Sequence, residues 1–225
     1  MIFNEGYSPE FNRSHVEFLQ LNSVIPKNHD FLALNPALRT HILSGTAETE
    51  CTMLVNASPS WCFPYEMLFT SDVELLVLSG NLTINGRCLT QGYYAFIDAF
   101  YKISNMSSTA GASILWMSNG PAEWVLAEKL LPRENAELRV IDTNQVPWKE
   151  SPAYEGRTVD EVIAGLSVKL IRQDVVTSAY TLMTRHQPGW IDPRMEAHDT
   201  WEEMLLIQGD YLMGTTGRLE GGSYI

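Results

Sequence analysis

Pro188-Gly-Trp190-Ile-Asp-Pro193-Arg-Met-Glu196-Ala-His198-Asp-Thr-Trp-Glu202-Glu203-Met-Leu-Leu-Ile-Gln-Gly209 decides how this chain is read. The same frame stands earlier as Pro59-Ser-Trp61-Cys-Phe-Pro64-Tyr-Glu-Met67-Leu-Phe69-Thr-Ser-Asp-Val73-Glu74-Leu-Leu-Val-Leu-Ser-Gly80. At an offset of 129, Trp190 lies over Trp61, Pro188 over Pro59, Pro193 over Pro64, Glu203 over Glu74 and Gly209 over Gly80. One residue of slip then puts Leu219 on Leu89, Gly222 on Gly92 and Tyr224 on Tyr94. The copies part where chemistry would sit: Glu196, His198 and Glu202 replace Met67, Phe69 and Val73.

The repeat extends upstream. Val16 to Pro26 resembles Leu138 to Pro147, Arg39-Thr-His-Ile-Leu43 resembles Ser167-Val-Lys-Leu-Ile171, and Cys51-Thr-Met-Leu54 resembles Tyr180-Thr-Leu-Met183. Short alternating or apolar runs, punctuated by Gly, Pro, Asn and Ser, are strand signals. They predict strands over 38–44, 50–56, 74–79, 81–85, 93–97 and 112–118, and again over 167–172, 178–185, 203–208 and 210–213. Asn85-Gly86 predicts a tight hairpin, since both residues tolerate positive φ. Gly80 and Gly209, each closing an apolar run, read as turn glycines. Segment 121–133, opening on Pro121, is a short helix or an irregular connector, and Thr158–Leu166 reads as a further helical turn.

Composition narrows the class. The 225 residues are 45% hydrophobic and only 19% charged, enough apolar side chain for a sizeable core and too little charge for disorder. A net charge of −12 argues against nucleic acid or an anionic membrane as the main partner. Cys51, Cys62 and Cys88 are odd in number and lack Cys-x-x-Cys pairing, which together with the absence of a signal-like N-terminus predicts a reduced, cytoplasmic setting. No apolar run approaches the roughly 20 residues needed to span a bilayer.

In these residues the chain resembles the cupin superfamily, and specifically its two-barrel bicupins. The first cupin motif is G(x)5HxH(x)3–4E(x)6G and the second is G(x)5PxG(x)2H(x)3N. Glu196-x-His198-x3-Glu202-x6-Gly209 keeps the spacing of the first, with Glu for its first His and with Gly189 one position out from the leading Gly. Gly222 opens the second motif, whose His would fall at 233, past Ile225. In the first copy the second-motif positions read Asp98, Phe100 and Ile103 for Pro, Gly and His.

The resemblance implies an all-β protein of two tandem jelly-roll barrels, the second truncated at its C-terminus. The expected division is an N-terminal, metal-free barrel over 1–120, a linker over 121–137 and a metal-bearing but incomplete barrel over 138–225. It also implies one divalent transition metal held by Glu196, His198 and Glu202. On a strand, residues two apart share a face, so Glu196 and His198 project together and Glu202 joins them after a turn. Imidazole with carboxylates suits Fe, Mn, Ni or Zn, and a second carboxylate favours Fe or Mn. Met67, Phe69, Val73 and Ile103 are unsuited to a hard cation, so the first barrel is expected to be packed or lined for an apolar ligand.

Other candidates are weaker. His186 could reach the mouth of the second barrel or simply end a strand; Trp61 and Trp190 read as packing beneath each mouth. His15, His29 and His41 have no carboxylate or Cys partner at ligand spacing. No nucleophile elbow, phosphate loop or dinucleotide fingerprint is present. Two function classes follow. One is a metal-dependent enzyme, dioxygenase- or hydrolase-like, acting on a small oxygen-rich organic molecule. The other is a non-catalytic cupin that binds or senses a metal or metabolite. Apolar sheet faces further predict a homodimer.

Overall fold

The computed structural model describes residues 19–24, 38–150, 165–191, 202–213 and 217–225. Sixteen strands are found there: β1 (Leu19–Gln20), β2 (Leu38–Gly45), β3 (Cys51–Phe63), β4 (Met67–Phe69), β5 (Val73–Ile84), β6 (Arg87–Thr90), β7 (Tyr93–Ile97) and β8 (Met106–Ser118), followed by β9 (Trp124–Leu126), β10 (Leu138–Asp142), β11 (Lys149–Glu150), β12 (Leu166–Gln173), β13 (Tyr180–His186), β14 (Asp210–Met213), β15 (Gly217–Glu220) and β16 (Ser223–Tyr224). The described residues hold one 3-10 turn, Leu21–Ser23, and no α-helix. No helix among them is long and apolar enough to cross a membrane. The chain forms two compact units, one of residues up to Val140 with 202–225, the other of 141–201.

In the first unit the strand order is β10-β7-β5-β8-β3-β2, with β6 added on β5. Strand β8 is the centre, pairing antiparallel with β3 on one side and β5 on the other. Alternation sends Cys51, Met53, Val55, Leu75, Val77, Ile114 and Trp116 to the inner face, where they join the main core. The opposite face is also covered: Leu43, Leu54 and Leu115 pack with Tyr224, and Leu76, Leu78, Met117 and Leu205 flank them. Burial on both faces explains why β3 and β5 read as nearly continuous apolar runs. Each such fully buried side chain contributes about 1.5–3 kcal/mol of transfer free energy.

Three local expectations change, one of them the strand expected over 203–208, where the only pairing among the described residues is the isolated bridge of Leu205 with Tyr224. The runs 74–79 and 81–85 form one strand, β5, because Gly80 kinks it instead of ending it. Its φ of +73° is open to glycine, and a Cβ there would stand 1.9 Å from the Gly111 carbonyl oxygen. The ladder with β8 shifts register on either side of Gly80, as at a bulge. Segment 121–133 is the irregular connector, carrying β9, which pairs with β4. Asn85-Gly86 does turn a hairpin: φ values of 49° and 78° join Ile84 to its partner Arg87. Thr158 to Ala164 lies outside the described residues.

The second unit is the sheet β11-β12-β13. Lys169, buried on β12, donates to the Thr143 carbonyl at 2.7 Å and sits 4.3 Å from the centre of the Trp148 ring. The Arg185 guanidinium lies 4.7 Å from the same ring. In the β12–β13 connection the Asp174 carboxylate accepts the N–H groups of Thr177 and Val176, which hold its pKa below the ordinary carboxylate value.

Ladder registers recur at the sequence offsets. Leu38↔Ala57 through Gly45↔Cys51 reappear as Leu166↔His186 through Gln173↔Tyr180, 128 residues on in one strand and 129 in the other. The bulge repeats too, between Ile42 and Ser44 and between Leu170 and Arg172. The β5–β6 pairs Asn81↔Thr90 to Ile84↔Arg87 reappear in β14–β15 as Asp210↔Glu220 to Met213↔Gly217. Leu76↔Tyr94 corresponds to Leu205↔Tyr224. The bond from Gly92 N to Val77 O (2.9 Å) corresponds to that from Gly222 N to Leu206 O (2.6 Å).

Candidate functional site

The ligand register is best seen first where it is apolar. Met67 and Phe69 lie on β4, Val73 opens β5, and Ile103 exchanges two backbone hydrogen bonds with Met67 at 2.8 and 2.9 Å. All four side chains are buried, at most 3% exposed, so none could be solvated if replaced by an unpaired charge. Beside them a cavity of only about 20 Å³ is bounded by Trp61, Phe63, Met67, Phe69, Trp116 and Trp124 among others. That is room for about one water, and the exposed wall is wholly apolar. The interior is therefore filled. Trp61 packs inside as expected, and the indole N–H groups of Trp61 and Trp116 are buried without a hydrogen-bond partner among the described residues.

Phe100 stands at the place of the second motif's glycine and has a φ of +64°, in the left-handed region that favours glycine. Its N–H donates to the Phe69 carbonyl at 2.8 Å and its carbonyl accepts from Arg133 N at 3.1 Å. The turn is made here without a glycine.

Of the three candidate ligands, Glu196 and His198 lie outside the described residues. Glu202 is described and exposed, two residues before Met204, which with Leu206 hydrogen-bonds to Ile225 and Ser223. No group of three His, Cys, Asp or Glu residues placed to hold a metal occurs among the described residues. His186 ends β13 with its ring centre 4.2 Å from that of Trp190 and the two planes tilted by 39°.

Glu203 is half-buried where Glu202 is exposed. Its carboxylate accepts a short 2.5 Å hydrogen bond from the Thr52 hydroxyl on β3. The Tyr224 hydroxyl is buried beside Ser44, Thr52 and Glu203 without meeting any of them in good hydrogen-bond geometry. Burial pushes its pKa up, and the negative charge of Glu203 adds to the shift. The matching residues of the first sequence copy are bonded directly: the Tyr94 hydroxyl donates to Glu74 at 2.6 Å, and Asn119 Nδ2 lies 3.5 Å from the other carboxylate oxygen. The repeat sets Glu203 on Glu74, but the sequence reading missed Thr52 and Tyr224 as its neighbours. The signal was present in the paired spacing Glu74…Tyr94 and Glu203…Tyr224.

The described residues form an all-β protein whose fold is cupin-like. The chain belongs to the family described as a domain of unknown function, DUF4437, which it matches over residues 25–225. No curated protein matches it. Among solved structures it is similar to a putative dioxygenase from Nostoc punctiforme, at 18% identity and a TM-score of 0.70, over 95% of this chain and 74% of that one. A putative glyoxylate-induced protein from Pseudomonas aeruginosa aligns at 16% identity and a TM-score of 0.60, over 92% of this chain and 78% of that one. The oxalate decarboxylase of Lactobacillus farciminis, in its formate complex, aligns at 10% identity and 0.52, over 92% and 78%. At these identities the likeness carries the fold alone.

Proposed function

We propose that the chain is a metal-dependent, two-barrel cupin enzyme that acts on a small oxygen-rich organic molecule, with dioxygenase- or hydrolase-like chemistry. One divalent transition metal, Fe or Mn in preference to Zn or Ni, is held by Glu196, His198 and Glu202. The first barrel, residues 1–120, is metal-free scaffold; 121–137 links it to the metal-bearing barrel of 138–225.

The observation that supports this reading is the recurrence of ladder registers at offsets of 128 to 130. Carried to the ligand positions, those offsets set Glu196, His198 and Glu202 where Met67, Phe69 and Val73 face the first core. The donor set fits the ion: one borderline nitrogen and two hard oxygens suit Fe(II) or Mn(II). When bound, such an ion supplies Lewis acidity to a carbonyl or carboxylate oxygen. His198 must be neutral to donate its ring nitrogen, so binding weakens as pH falls through the imidazole range. Glu196 and Glu202 bring two negative charges to balance the cation, leaving open positions for a bidentate oxygen ligand. A small-molecule ligand and a homodimer belong to the same proposal.

Metal analysis of the purified protein tests it. About one transition-metal ion per chain is expected, lost in His198→Ala. A folded, chelator-free preparation with no metal would refute the site. Steady-state oxygen uptake with diketones and keto acids then separates an oxygenase from a hydrolase.

A further inference from the structure

We infer that the first sequence copy carries a binding site of its own, a dry apolar void that takes a small apolar diatomic gas, dioxygen. The void is the cavity of about 20 Å³ beside Met67 and Phe69. Its wall draws Val55 from β3, Met67 from β4, Leu82 from β5, and Met106 and Ile114 from β8. Each of these side chains is at most 3% exposed, and the wall offers no polar atom.

Those features select a guest by exclusion. A water fits by size, but a trapped water needs about two to four polar partners and finds none on this wall. The indole N–H groups of Trp61 and Trp116, without a partner among the described residues, are not exposed on it. An ion or a carboxylate would lose its hydration with nothing in return. A void with room for about one water is too small for an organic molecule of several heavy atoms. What remains is a molecule of water's size that needs no hydrogen bonds. Dioxygen has two heavy atoms and no dipole, and it supplies dispersion contacts to lining atoms that otherwise face empty space. The thioethers of Met67 and Met106 are polarizable and adaptable, so the wall can adjust to its guest. Trp124 marks the entry. It is the half-buried member of the wall and stands on β9, which three residue pairs join to β4. Binding of the gas does not depend on the metal reading above; only its use as a local supply for an oxygenase rests on that reading.

The test uses the whole protein under raised dioxygen pressure, with methyl resonances followed by NMR, because dioxygen is paramagnetic and speeds the relaxation of nuclei beside it. The methyls of Met67, Met106 and Ile114 should relax about 3-fold more than those of Leu43, Leu54 and Leu115, which are buried in the other core cluster, where close packing leaves a guest no room. A gadolinium chelate, too large and polar for the void, should produce no such excess. Val55→Ile adds a methylene to the wall and should cut the excess at the methionine methyls by about half or more; Ile114→Val removes one and should raise it. Should Val55→Ile fail to fold, Ile114→Val carries the test. Equal relaxation of the two sets by dioxygen, an excess that the chelate reproduces, or one that neither substitution moves overturns the site. A localised excess in a protein that takes up no metal keeps the gas site and removes its oxygenase use. Metal uptake without the excess overturns the gas site and leaves the metal reading standing.

Discussion

The β2–β3 and β12–β13 hairpins pair residue for residue, down to the position of the bulge, yet one is sealed and the other open. Cys51 and Met53 on the inner face of the first are 0% exposed. Tyr180, which matches Cys51 in the ladder, is 52% exposed, and Leu170, which matches Ile42, is 53% exposed. The difference separates two kinds of information. Register is local, set by alternation, turn residues and a bulge. Burial is non-local: β3 gains its inner-face neighbours from β8 and β5, strands that lie far along the chain.

Substitutions in the sealed interior and on the open face would test that comparison most severely. Phe69→Ala in the filled interior should cost about 3–5 kcal/mol in denaturant unfolding, because a cavity opens among Trp116, Met67 and their neighbours. Leu170→Ala on the open face should stay within about 0.5 kcal/mol. Equal losses at the two positions would mean that the faces are not distinct.

A smaller effect compares the two Glu–Tyr pairs. Glu74→Ala withdraws the acceptor of the buried Tyr94 hydroxyl and should cost about 1–3 kcal/mol in thermal unfolding, with Glu74→Gln milder. A neutral result would show that water replaces the carboxylate.

The smallest change at neutral pH is expected for Tyr224→Phe, which sharpens the comparison through its pH dependence. Burial, reinforced by Glu203, raises the folded pKa of Tyr224, so the neutral phenol is the form the fold favours. An unfolded tyrosine ionises near pH 10. The contribution is thus complete below about pH 10 and is lost as pH rises beyond it, because the unfolded chain releases a proton that the folded one retains. Unfolding midpoints of the wild type should drop between about pH 9 and pH 11 more steeply than those of Tyr224→Phe. Parallel pH profiles would refute the assignment.

Much of the fold was legible because its signals are short-range. Alternation or short apolar runs marked β2, β3 and β12, Asn85-Gly86 marked its hairpin, and the repeat marked which later residues pair as earlier ones do. Strand β4 was missed because three residues, Met67 to Phe69, are too few to show a period. Gly80 was misjudged because only its approach to Gly111 reveals a bulge in place of a turn. At the candidate site the sequence supplied residue types and spacing, Glu196, His198 and Glu202, and the reason the first copy cannot match them. It could not supply Thr52, which stands 151 positions from Glu203 and bears no pattern of its own.

The sequence by itself determined strand order within each hairpin, the offsets at which they recur and the contrast between apolar and polar ligand positions. These depend on side-chain chemistry and on steps of two along a strand. Only the tertiary structure decided which faces are sealed, and that the Glu203 carboxylate is held by Thr52. Those outcomes depend on strands brought together from distant parts of the chain, where close packing and a directional hydrogen bond act across distances that no local pattern encodes.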